Sequence, residues 1–294
     1  MNISTWLTDW LTLRSPELRP RTIESYRDIM TRYVFPAIGD IETEALQPDD
    51  LRHLIAGIVA AGHERTAELC FVMLKCAFAE LDHDPLRKIK RPKHRQTRPD
   101  PWQDPEIAIY LNACRTHRHG LALALAITLG LRRGEICGLK WLAVDFVAEI
   151  IHIDNQRITL ASGETVDAPP KSATSIRTLP VPSEPPWLLP ALRRARGLPN
   201  AYLCPLTPSG LDQAHRKLVA RLGLPPIPLH GLRHTMASAS LRHGGEMRAL
   251  QSILGHASYS TTANIYTHPD LTMLKSSLDV VTKGCYTGFG KLTP

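Results

Sequence analysis

Apolar positions over the first 84 residues recur at helical spacing. Trp6, Leu7, Trp10 and Leu11 share one stripe of a segment from Ile3 to Leu13. Pro20 and Thr22 open a second segment, with Ile23, Tyr26, Ile29, Met30 and Tyr33 on one side, that stops near Pro36 and Gly39. Pro48-Asp49-Asp50 starts a third through Ala60, and Glu64 to Leu81 reads as a fourth. Four short helices make a compact bundle, and its Tyr and Trp residues read as core. The pattern then breaks: Pro85, Pro92, Pro99 and Pro101 punctuate a stretch to Trp102, where proline blocks regular structure and stiffens the path. Helical spacing resumes at Pro105 to Cys114 and Leu121 to Leu129. Short alternating runs follow at Ile150 to Asp154, Gln156 to Leu160, Glu164 to Asp167 and Arg177 to Val181, with a turn at Ser162-Gly163. Helices return at Trp187 to Arg196, Ser209 to Leu222, Leu232 to His243, Arg248 to Leu254 and Asp270 to about Thr282. The reading is a mainly α protein with a small antiparallel β-sheet. It has a helical domain over 1–84, a Pro-rich linker over 85–102, an α+β domain over 103–283 and a tail over 284–294. No internal repeat or low-complexity tract stands out.

The length of 294 residues suits two domains with real cores. With 43% hydrophobic and 21% charged residues the composition is globular. No apolar run approaches the ~18 residues of a membrane-spanning helix, and the start lacks the charged and apolar regions of a secretory signal. The six cysteines form no CxxC and mostly sit in apolar stretches. They read as reduced, mostly buried thiols of a cytosolic protein. The net charge of +7 is unevenly spread. Up to Asp84 there are 8 Lys and Arg against 14 Asp and Glu; from Pro85 onward there are 27 against 14. Arg87 to Arg98 holds seven cations and no acid. Such a run is either a solvated linker or a polyanion contact, and nucleic acid is the obvious polyanion.

Four places in the second domain are unusual for a purely structural chain. In TLGLRRGEICGLKW an apolar helix runs straight into Arg132 and Arg133, with Arg132 at the start of a short helix where backbone N–H groups favour an anion. Lys171 lies at a tip between two strands. His230 and Arg233, in HGLRHT, are three apart and share a helix face. His256 follows a glycine in LGHAS, and Tyr266 closes TTANIYTH ten residues later. Each has a bland reading by itself: a surface Arg pair, a solvated Lys, a half-buried aromatic.

Taken together, these segments strongly resemble the tyrosine recombinase, or phage integrase, family. TLGLRRGEICGLKW resembles its first Arg box, PPKSATSIRTLPVP its hairpin Lys segment, HGLRHT its second box, and LGHAS with TTANIYTH its third His and its nucleophile. The first 84 residues resemble the family's helical core-binding domain, so the resemblance covers nearly the whole chain. It implies an active site of Arg132, Lys171, His230, Arg233, His256 and Tyr266. It implies DNA cleavage and rejoining through a 3′-phosphotyrosine, without ATP. A phenol nucleophile stores the bond energy covalently. Arg132 and Arg233 are suited to clamp non-bridging phosphate oxygens bidentately, and Lys171 to protonate the leaving 5′ oxygen. Glu135, one turn from Arg132, is expected to brace the Arg box. With two Arg, a Lys and two His, no divalent metal and no other cofactor is expected, and no HExxH or paired His/Asp cluster is present.

The linker is expected to cross the duplex so that the two domains form a C-shaped clamp. Candidate DNA contacts are Arg19, Arg21, Arg27, Arg65 and Lys75 in the first domain, and Lys88, Lys90, Arg91 and Lys93 in the linker. Expected partners are a double-stranded recombination site, a homotetramer on two sites, and accessory DNA-bending or directionality proteins. Without DNA the protein is expected to be a monomer or weak oligomer. The expected location is the cytoplasm, at the nucleoid. The favoured role is integration or excision of a phage or mobile element. Alternatives are a Xer-like chromosome dimer resolvase, a type IB topoisomerase-like enzyme, and a DNA-binding regulator without catalysis. After Tyr266, Leu271, Leu274, Leu278 and Val281 form an apolar stripe that must dock, either on its own domain or, as the resemblance suggests, on a neighbouring subunit.

Overall fold

A computed structural model describes residues 1–81, 84–93, 99–160, 162–170, 173–255, 271–272 and 274–279. The chain divides into two compact units, Met1–Thr97 and Arg98–Pro294.

The first unit is built from α1 (Ile3–Arg14), α2 (Pro20–Ile29), α3 (Phe35–Ile38), α4 (Pro48–Ala60) and α5 (Glu64–Phe78). The expected second helix is a single run from Pro20 to Ile38 that widens into a π turn at Met30–Val34. Pro36 sits just after that turn. Its missing N–H and its ring are incompatible with regular i→i−4 bonding, and the wider turn accommodates both. α4 begins with Pro48 at its first position, and the Asp50 carboxylate accepts from the Gln47 backbone N–H at 2.9 Å. The core gathers Leu7, Met30, Leu51, Met73, Leu74 and Phe78, all fully buried. Each such side chain stabilises the fold by about 1.5–3 kcal/mol relative to exposure. The aromatic residues are core, as the pattern predicts: Trp6 packs on Phe78, and Trp10 stacks on Tyr26 while donating to Glu80 at 3.0 Å. Leu86, early in the Pro-rich stretch, is buried in this same core.

The second unit opens with α6 (Asp104–Cys114) and α7 (Gly120–Thr128), whose residues are almost all buried. Then come α8 (Arg133–Gly138), β1 (Val144–Asp145), β2 (Ile150–Ile153), β3 (Gln156–Thr159), β4 (Thr165–Ala168), β5 (Arg177–Pro180), α9 (Leu188–Ala195), α10 (Pro208–Arg221), α11 (Leu229–Arg242) and α12 (Met247–Leu254). The expected strands divide between two antiparallel sheets rather than one: β1-β2-β5 and the separate hairpin β3-β4. β2 and β5 bury Ile151, Ile153 and Leu179 in the core, whereas the β3–β4 hairpin is only half buried. Burial on one face aligns the first sheet, and the hairpin stands off it. Inside, Tyr110 and His215 form a closed polar pair. His215 Nε2 donates to the Ile227 carbonyl at 3.0 Å, which leaves Nδ1 to accept from the Tyr110 hydroxyl at 2.8 Å.

Residues 271–272 and 274–279 are helical. The resemblance suggests docking of this stripe on a neighbouring subunit, but in the isolated chain Leu274 and Leu278 are buried in the core of their own unit. The Asp279 carboxylate accepts from the Ser183 N–H and hydroxyl at 2.7 and 3.0 Å. A short apolar helix is unstable unless docked, and a single chain offers only its own surface.

Candidate active site

α8 starts at a polar junction inside an apolar unit. α7 ends at Thr128, and Gly130 then turns the chain with φ +59. A Cβ there would lie 2.5 Å from Met236 Cε and 2.9 Å from Leu254 Cδ2, so only glycine permits both the conformation and the approach. The turn delivers Arg132 to the position before α8. Glu135, one turn on, caps the helix by accepting from the Arg132 backbone N–H at 2.9 Å. Its other oxygen accepts from Arg132 Nη1 at 2.8 Å. The expected bracing of Arg132 by Glu135 is present in this geometry.

Glu135 is 2% exposed. Such a buried carboxylate costs too much free energy unless it is paired. The second partner is Arg177 on β5, which grips both oxygens at 3.2 and 2.9 Å. Burial works to raise the Glu135 carboxyl, but the bonds from Arg177 and Arg132 overcome it and hold the group below the ordinary glutamate range. Arg177 was not among the candidate site residues. Its strand is readable in the sequence, but nothing near it marks Glu135 as its partner.

Arg233 lies on α11 and is 3% exposed. It donates to the Gly130 carbonyl at 2.7 Å and to the Leu254 carbonyl. Burial, with the nearby Arg132 charge next, draws its guanidinium down to about 9, so it is a cation at neutral pH. Arg132 Nη2 donates to the Gly255 carbonyl at 3.1 Å. Gly255, at φ +60, is the left-handed residue that ends α12. Arg132 and Arg233, more than 100 positions apart in sequence, thus meet at the end of one helix. Arg132 keeps 30% of its side chain exposed, so part of its guanidinium side is open to a ligand. His230 stands at the start of α11, exposed, with its ring edge-on to His234 at 5.2 Å.

The first strand of the β3–β4 hairpin that precedes Lys171 is locked to α8. Gly134 and Gly138 face β3 so closely that a Cβ on Gly138 would lie 2.6 Å from Gln156 Cα. Asn155 donates to the Gly138 carbonyl at 3.2 Å, and Gln156 donates to the Pro169 carbonyl at 2.7 Å. Lys171, His256 and Tyr266 themselves lie outside the described residues. Among the candidate DNA contacts, Arg19, Arg21, Arg27, Arg65, Lys75, Lys88, Lys90, Arg91 and Lys93 are all exposed. The fold brings Arg65 and Arg91 together on Glu68, while Arg21 pairs with Glu24 at 3.3 Å. No cluster of His, Cys, Asp and Glu able to hold a metal occurs among the described residues. None of the described helices is long and apolar enough to cross a membrane.

The fold is shared with solved integrases. The Tn1549 transposon integrase in complex with transposon right end DNA superimposes with a TM-score of 0.74 at 19% identity, over 95% of this chain and 99% of that one. A lambda integrase dimer bound to a COC′ core site gives 0.66 at 17%, over 88% and 96%. In sequence, the family model described as Phage integrase family matches residues 104–272, and that described as Phage integrase, N-terminal SAM-like domain matches residues 2–58. A tyrosine recombinase XerD of Listeria innocua is 27% identical over 281 residues, 88% of this chain and 91% of its own length. A tyrosine recombinase XerC-like protein of Caldanaerobacter subterraneus is 29% identical over 203 residues, 59% of this chain and 51% of its own length. The chain thus spans about half of the latter relative and nine-tenths of the former. It belongs to the phage integrase family and is a tyrosine recombinase, an enzyme of site-specific DNA recombination.

Proposed function

We propose that this recombinase cuts and rejoins DNA through Tyr266, in the integration or excision of a mobile element. The Tyr266 hydroxyl attacks the scissile phosphorus, a P–O bond to tyrosine forms, and the bond to the 5′ oxygen breaks. His230 accepts the phenolic proton, and Lys171 protonates the departing 5′ oxygen. Arg132 and Arg233 stabilise the charge on the non-bridging oxygens, with His256 adding a hydrogen bond. Religation reverses these transfers with a different 5′-hydroxyl. The observation that carries this reading is the convergence of Arg132 and Arg233 on the end of α12, one residue before His256. Two fixed guanidiniums at one point suit a doubly charged phosphorane.

Arg19, Arg21, Arg27, Arg65 and Lys75, with Lys88, Lys90, Arg91 and Lys93 of the Pro-rich stretch, are proposed to contact phosphates of the duplex. Accessory DNA-bending proteins and a nucleoid location belong to the same reading. Assembly is proposed to proceed as a tetramer on two sites, in which the 271–279 helix leaves its own unit and docks on the neighbour. That exchange would couple the Tyr266 segment to assembly. Chromosome dimer resolution is the second reading, favoured by the XerD relative that spans nine-tenths of its length with this chain.

The test is a nicked suicide substrate that traps the covalent adduct. Wild-type protein should form a 3′-linked adduct in EDTA, and Tyr266→Phe should bind DNA but form none. An adduct of undiminished yield from Tyr266→Phe would refute the assignment. Sequencing the trapped DNA distinguishes an element end from a chromosomal resolution site.

A further inference from the structure

The last carbonyls of an α-helix lack partners within the helix and sit at the negative end of its dipole. In α12 three successive carbonyls each receive one bond from a different arginine. Ile253 accepts from Arg177 Nε at 2.6 Å, Leu254 from Arg233, and Gly255 from Arg132 at 3.1 Å. These arginines come from β5, α11 and the start of α8. Ser175 joins the same cluster: its hydroxyl accepts from Arg132 Nη1 at 3.3 Å and its carbonyl from Arg177 Nη1 at 2.9 Å.

The charges within this cluster are unequal in role. Glu135 is the carboxylate that Arg132 and Arg177 both bind, while the Arg233 guanidinium donates to the Gly130 and Leu254 carbonyls. Arg177 is deeply buried, with 7% of its side chain exposed, and binds Glu135 through both oxygens. Arg132 touches Glu135 with a single guanidinium nitrogen and is the more exposed of the two. If Arg132 alone faced Glu135, its charge would be spent on that pair. With Arg177 in place, Glu135 is neutralised from the buried side, and Arg132 remains a net cation.

We infer that Arg177 is a positioning residue of the strand-transfer centre: it cancels the charge of Glu135 and ties β5 to the end of α12, so that Arg132 presents its charge to the scissile phosphate. The inference rests on the recombinase mechanism proposed above. Arg177 itself touches no reacting atom. A purely structural arginine would predict that its loss lowers Tm while the folded enzyme still cleaves near the wild-type rate. Charge cancellation predicts instead that the effect of removing the Glu135 charge changes sign with the residue at 177.

The experiment is a double-mutant cycle in the full chain with Arg177→Met, Glu135→Gln and both together, plus Arg177→Lys. The rate of adduct formation is read in single turnover on the suicide substrate, DNA affinity by titration, and Tm by thermal unfolding. Arg177→Met should slow cleavage by about 100-fold, the scale of a misplaced catalytic group, with DNA affinity changed less than about threefold. Glu135→Gln alone should slow cleavage and lower Tm. In the Arg177→Met background the same change should speed cleavage about tenfold and raise Tm. Arg177→Lys, which keeps the charge but loses the fork, should fall between wild type and Arg177→Met. Cleavage by Arg177→Met at the wild-type rate would overturn the inference. So would a Glu135→Gln change that is harmful in both backgrounds. If wild-type protein forms no adduct, the recombinase mechanism fails separately, and the sign of the Tm effect still decides whether Arg177 cancels the Glu135 charge. If Arg177→Met does not fold, the same cycle run on Arg177→Lys decides it: a smaller penalty for Glu135→Gln there than in wild type supports cancellation, and an equal one refutes it.

Discussion

Arg233→Lys tests the site most directly, because it keeps a cation and removes a geometry. In the structure the guanidinium spans two carbonyls, Gly130 at 2.7 Å and Leu254, which belong to separate segments. An ammonium can satisfy only one of them at this depth. Losing a charged hydrogen bond and leaving a buried carbonyl unpaired costs about 2–3 kcal/mol. In a unit of roughly 200 residues that corresponds to a Tm lowered by about 5–10 °C. The charge itself is also at risk. Burial and then the Arg132 charge draw the native guanidinium from 12.5 to about 9. A lysine starts lower, at about 10.4, and burial beside the Arg132 charge would depress it further, toward the neutral range. A base with a depressed pKa is protonated below that value and loses its charge above it. The variant should therefore lose cleavage rate as pH rises from 6 to 8, whereas the wild-type guanidinium stays charged throughout. At pH 8 the loss of a fixed phosphate donor should slow adduct formation by about 10²–10³-fold. Differential scanning calorimetry and single-turnover adduct gels measure the two effects. A Tm within about 2 °C of wild type, together with a rate within about threefold at both pH values, would sink the reasoning.

Gly138→Ala should push β3 away from α8, because the added Cβ meets Gln156 Cα at 2.6 Å; the expected overpacking cost is about 1–3 kcal/mol in urea unfolding, with slower cleavage at unchanged DNA affinity. Tyr110→Phe leaves His215 Nδ1 without its 2.8 Å donor and should cost about 1–3 kcal/mol, measured the same way. Burial, the largest cause, lowers the His215 pKa below 6.5. This contribution to stability is therefore whole above pH 6.5 and lost as pH falls toward the folded value, so His215→Gln should flatten the acid limb of a Tm-against-pH curve; an unchanged limb would contradict it. Burial holds the Cys70 thiol up at about 12, and of the described cysteines only Cys76 is exposed. A thiol reagent at pH 8 should therefore label Cys76 in the native protein and Cys70 only on unfolding, as mass spectrometry of digested protein can check.

Much of the architecture was legible in the chain itself. Helical periodicity marked α1, α4, α5, α6 and α10 near their observed limits, because an apolar stripe must be buried wherever it occurs. The order of the Arg, Lys, His-Arg, His and Tyr segments by itself carries the resemblance to the family. Glu135 at the third position after Arg132 was readable as a brace, since that spacing places a carboxylate over the helix start. Other features depended on residues far apart in sequence. Periodicity gives each strand its faces but not its neighbours, so the division into β1-β2-β5 and β3-β4 emerged only from packing. The π turn at Met30–Val34 answers Pro36 within a helix that hydrophobic spacing treats as regular. The docking of Leu274 and Leu278 on their own unit depends on which surface is available. The role of Arg177 was also invisible locally, since nothing in SIRTLPVP names the buried carboxylate 42 positions earlier that it grips. A buried charge takes its partner from whatever the completed core brings within about 3 Å, and that choice is made by tertiary structure.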